Sequence, residues 1–85
     1  MSDLERLVQL LAVAAPLAGA VSVRGEGRAA FLLVEGSGRV VEAGRTGGQW
    51  WVELWGGGED EAAPVQELLA DTDQEAVAAI TAWLR

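Results

Sequence analysis

The chain contains no histidine, cysteine, lysine, tyrosine or asparagine. Each absence closes a class of function. Without imidazole or thiol there is no Ser-His or Cys-His nucleophile pair, and zinc and copper lose their preferred ligands. Without cysteine no disulfide framework holds the fold, so a packed core must. Without lysine there is no amine for Schiff-base chemistry. The six basic residues are all arginine and stand against thirteen acids, for a net charge of -7. Phosphate backbones and anionic bilayers are bound by clustered Lys and Arg, so neither nucleic acid nor a membrane is the expected partner. Only carboxylates remain for acid–base work. The reading is a chain that is not an enzyme and carries no cofactor or metal.

What is present is apolar and acidic. Eighty-five residues make one domain, and a 51% hydrophobic content is enough for one core. The charge is uneven. Residues 1–48 hold five acids and five arginines, whereas residues 49–85 hold eight acids and only Arg85. A basic protein fits that imbalance electrostatically, and so does plain solubility. Arginine as the only base, with abundant Ala and Gly, reads as the codon bias of a GC-rich bacterial genome. Residues 7–20 are apolar apart from Gln9 and end in a small-residue pattern. They follow Asp3 and Glu5, however, where a secretory signal needs a positive start. The run is also too short and interrupted to span a bilayer. A cytoplasmic location is the expectation.

Periodicity places the elements. Ser2 and Glu5 fit a capping box, and Leu4, Leu7, Val8 and Leu11 recur at helical spacing, which predicts a helix over 3–15 ended by Pro16. Strand patterns follow over 20–24, 28–35, 39–43 and 49–55. Glycine-bearing turns at 25–27, 36–38 and 44–48 separate them and are short enough to force hairpins. The first two turns share V-x-G-x-G-R and are read as equivalent three-residue loops, not as phosphate-cradling loops, because no later glycine or helix follows. Residues 56–61 are an acidic glycine loop. Residues 65–70, after Pro64, read as an edge strand in preference to a short helix. Thr72 and Glu75 form a second capping box before a helix over 73–84, lined by Ala76, Val77, Ile80, Trp83 and Leu84. The predicted fold is α+β, a four- or five-stranded antiparallel meander flanked by two terminal helices.

The tryptophans carry most of the functional information. At period two, Trp50, Val52 and Leu54 share one face of their strand, and Trp51, Glu53 and Trp55 share the other. Residues 29–34 are apolar on both sides as well. An antiparallel sheet with one wet face should alternate apolar and polar, so both faces want cover. Either the two helices take opposite faces, or both take the Trp50 face and a protein covers the other. In the second arrangement Trp51, Glu53 and Trp55 are the contact residues, and the partner is a second copy or a basic protein.

Three weaker constellations remain. Glu35, Glu42 and Glu53 could approach one another across the meander, as the paired carboxylates of a small hydrolase or ligand-binding domain do. An enclosed pocket would be needed, with Glu42 and Glu53 in it. Glu35 and Arg39 would pair across a turn. Glu59, Asp60 and Glu61 could supply oxygens to calcium but lack its spaced ligand pattern. Arg24 and Arg28 flank the first turn, where they could receive an anion or be satisfied by Glu26. In size, layout and charge the chain is similar to small acidic bacterial proteins, among them immunity proteins that neutralise toxins and chaperones of secreted effectors. That similarity carries no residue-level transfer.

Overall fold

The computed structural model describes residues 2–14, 20–56 and 62–84. Helix α1 (Asp3–Ala14) leads into five strands, β1 (Ala20–Arg24), β2 (Phe31–Gly36), β3 (Arg39–Thr46), β4 (Gln49–Trp55) and β5 (Gln66–Ala70), followed by α2 (Asp73–Trp83). The strands form one antiparallel sheet in sequence order. The fold is α+β, as the periodicity predicts, and the segment after Pro64 is an edge strand.

Both helices lie on the same face. Leu7 and Leu11 of α1 and Ala76, Val77 and Ile80 of α2 join Leu32, Val34, Val41, Ala43, Trp50, Val52 and Leu54 in one buried cluster. α2 packs on β3, β4 and β5, and α1 packs on β3 and on α2. The helix pair does not extend over β1. Val21 and Val23 share the inner face through their pairing with Val34 and Leu32, yet Val23 is 54% exposed.

Polar contacts at both ends of α2 fix this arrangement. The indole N–H of the fully buried Trp50 donates to Asp73 Oδ1 at 2.8 Å, and Arg6 of α1 donates to the same carboxylate. Arg45 stacks over the Trp50 ring at 5.2 Å and pairs with Asp3, which also pairs with Arg6. The Arg6 guanidinium and the Trp50 N–H hold the Asp73 carboxyl below the usual carboxylate range. At the N-terminus of α2 the Thr72 hydroxyl accepts from the Glu75 N–H at 3.1 Å. At the far end Ser37 Oγ donates to the Leu84 carbonyl and Arg39 to that of Trp83, satisfying acceptors that a helix terminus leaves open. One half of the first expected capping box is formed as well, with Glu5 N–H on Ser2 Oγ.

The turns differ from the sequence expectation. The two V-x-G-x-G-R copies are not equivalent. The first contains a 3-10 turn, Gly27–Ala29, so β2 begins at Phe31 instead of 28. The second is a two-residue loop, Ser37-Gly38, with φ of 54° and 73°, the doubly positive conformation of a type I′ hairpin. The third turn is also two residues, Gly47-Gly48, and β3 runs on to Thr46. The expected Glu35–Arg39 pair does not form. Glu35 sits opposite Val40, and Arg39 sits opposite Gly36 on the other face, where it reaches Trp83.

Candidate functional site

The site is built on the sheet face opposite α1 and α2, which among the described residues bears no helix. Register assigns its side chains in three rows running across the strands. One row is Arg24, Phe31, Gly44, Trp51 and Leu69. The next is Ser22, Leu33, Glu42, Glu53 and Glu67. The third is Ala20, Glu35, Val40 and Trp55. An apolar row and a mixed row therefore flank three carboxylates set side by side on β3, β4 and β5.

The apolar row packs on itself. Gly44 is buried because the Trp51 indole lies flat across it, and a Cβ at that position would collide with Cε2 and Cζ2 of the ring. Gly44 is thus a strand glycine selected for close approach, not the turn residue its sequence context suggests. The ring also meets Phe31 at a centroid distance of 6.1 Å and a tilt of 44°. Trp51, Glu53 and Trp55 are all half-buried. The Trp51 indole is held in place while part of it stays accessible, which is the condition of a preorganised contact.

The acid row is electrostatically strained. Neighbouring strands lie about 4.8 Å apart, so like charges directly opposite repel. Burial, then the facing Glu53 carboxylate, raise the Glu42 pKa above the ordinary glutamate value. The nearby Trp55 indole N–H pulls the other way. That N–H is buried and stops short of a well-formed hydrogen bond with a described acceptor, so its support for the charged form is partial.

Glu42 and Glu53 do pair, as a carboxylate site would require, whereas Glu35 lies in a different row. The surroundings do not enclose them. The groove beside Glu53 is open, about 360 Å³, and is lined by Trp51, Glu67 and Leu69 but not by Glu42. Among the described residues no group of three acids could hold a metal ion, and Glu59, Asp60 and Glu61 lie outside them. Among the described residues no helix is long and apolar enough to cross a membrane. Arg24 ends the apolar row on β1, while Arg28 lies in the 3-10 turn. Neither forms an ion pair with Glu26 among the described residues.

Phe31, Gly44, Glu67 and Leu69 complete this face and were not singled out in the sequence. Glu67 was findable in principle, since pairing residues 65–70 with 49–55 in a tight meander sets it opposite Glu53. Gly44 was not, because a glycine next to a Gly-rich turn carries no mark of a ring above it. The chain matches no protein-family model, no curated protein and no solved structure, so its own geometry carries the functional reading.

Proposed function

We propose that the chain is a non-catalytic protein-binding module whose bare sheet face docks a basic protein. The observation that carries this is the placement of both helices on the Trp50 face. It leaves Trp51 and Trp55 on a surface that neither α1 nor α2 covers, beside a row of three carboxylates. Aromatic anchors next to unpaired charge favour a partner that brings apolar area and cations together. A second copy is the poorer fit, because a face-to-face dimer would bring two acid rows into one interface. Neutralising a basic partner, as immunity proteins and effector chaperones do, is the form this reading takes.

The experiment is affinity capture of the tagged chain from its own host, run beside Trp51→Ala/Trp55→Ala and Glu53→Lys variants. The expected result is a basic protein retained by the wild type and by a Val13→Ser control on the exposed side of α1, and lost from both face variants. Retention by the face variants overturns the reading. So does an 8.9 kDa chain that light scattering finds as a dimer dissolved by the same substitutions.

A further inference from the structure

The acid row does not end inside the sheet. Glu67 lies on β5, and among the described residues β5 pairs with β4 alone. A strand with one neighbour turns about half of its backbone N–H and C=O groups outward, a template for another strand. Natural edges are blunted by shortness, charged side chains, Pro, a bulge or a covering element. β5 is five residues long, its single charge is Glu67, it has no Pro, and Gln66, Glu67, Leu68 and Leu69 are all exposed. Its two leucines point to opposite faces. Leu68, opposite Val52, is 39% exposed on the helix side, and Leu69, opposite Trp51, is 58% exposed on the bare side. A strand laid along β5 would cover both at once.

We propose that the basic partner joins the sheet as a sixth, antiparallel strand along β5. The inference rests on the reading of the bare face as the docking surface for a basic protein. Charge selects the occupant. A residue opposite Glu67 extends the row Glu42, Glu53, Glu67, and only a cation relieves it. β5 itself carries no basic residue, so the β5 of a second copy cannot supply one. The partner segment therefore places Arg or Lys opposite Glu67, with apolar side chains opposite Leu68 and Leu69. Main-chain hydrogen bonds give such an addition its affinity, and the alternating side chains give it specificity.

The probe is a synthetic nonapeptide of three Val-Val-Arg repeats, which can set arginine opposite Glu67 and valines opposite Leu68 and Leu69, added to the intact chain. Two comparison peptides replace the arginines by glutamate or the valines by proline. Amide hydrogen exchange is read across β5, and the Trp51 and Trp55 indole N–H signals are followed in parallel. At saturation the arginine peptide slows about half of the β5 amides by roughly tenfold or more. The glutamate and proline peptides do not, and Glu67→Lys abolishes the protection. Indole signals that shift while β5 exchange stays unchanged overturn the sixth strand and leave the bare-face reading standing. Equal protection by the proline peptide overturns it as well. So does β5 protection that grows with protein concentration alone, because a second copy then occupies the edge. No response from either the indoles or β5 removes both readings.

Discussion

The two faces of this sheet begin from similar sequence and end in different surroundings. Trp50 and Trp51 are neighbours on one strand. Trp50 is fully buried under two helices, with its N–H on Asp73 and a guanidinium over its ring. Trp51 is half-buried over a glycine, beside a phenylalanine, on the face away from α1 and α2. The inner face has its charges paired across elements, as in Arg6 with Asp73 and Arg45 with Asp3. The outer face sets like charges side by side. Apolar content alone does not separate the face the helices cover from the face they leave open. The state of the charges beside it does.

Substitutions can break this contrast in order of size. Trp50→Ala should cost about 3–5 kcal/mol in denaturant unfolding, enough to unfold a marginal domain of this length. Trp51→Ala, on the open side, should cost about 1–2 kcal/mol. Equal losses would mean that the outer ring is as much core as the inner one. Next comes Asp73→Ala, which strands the buried Trp50 N–H and should cost about 1–3 kcal/mol. Gly44→Ala forces the Trp51 ring off the sheet and should cost about the same by overpacking. In the Trp51→Ala background that penalty should largely vanish, so a double-mutant cycle reports the ring's position directly.

The smallest effects are in the titrations, and they have opposite signs. Asp73 has a lowered folded pKa, so its contribution is present above the ordinary carboxylate range and is lost as pH falls through the lowered value. Glu42 has a raised folded pKa, so its contribution is full below the ordinary range and is lost as pH rises through the raised value. Glu42→Gln should therefore stabilise the isolated chain near neutral pH, by about 0.2–1 kcal/mol for one relieved like-charge pair, and the gain should fade in acid. A gain that persists unchanged in acid would remove the charge from the explanation.

Much of the scaffold was legible in the sequence because it is written in local chemistry. The strand at Gln49–Trp55 follows from period two, and the hydroxyl caps on Glu5 N–H and Glu75 N–H follow from Ser2 and Thr72. The turns were less legible because glycine permits several geometries, and the flanking register chooses between them. That choice made one V-x-G-x-G-R copy a 3-10 turn and the other a type I′ loop. It also separated Glu35 from Arg39, since a shift of one residue moves a side chain to the other face. The face taken by the helices was not legible either. Both faces are apolar, and what distinguishes them is long-range, namely a carboxylate on α2 that meets an indole on β4 and an arginine on α1. Trp51, Glu53 and Trp55 share one face by their spacing alone, but the acid row beside them needed the pairing of β5.

The four indoles give the most direct test. Trp50 lies in the core, Trp83 on α2, and Trp51 and Trp55 on the bare face. Adding the purified basic partner to the chain and recording the indole N–H signals should shift Trp51 and Trp55 and leave Trp50 and Trp83 in place. Shifts confined to Trp50 and Trp83, or no shift in a complex that demonstrably forms, would contradict the account.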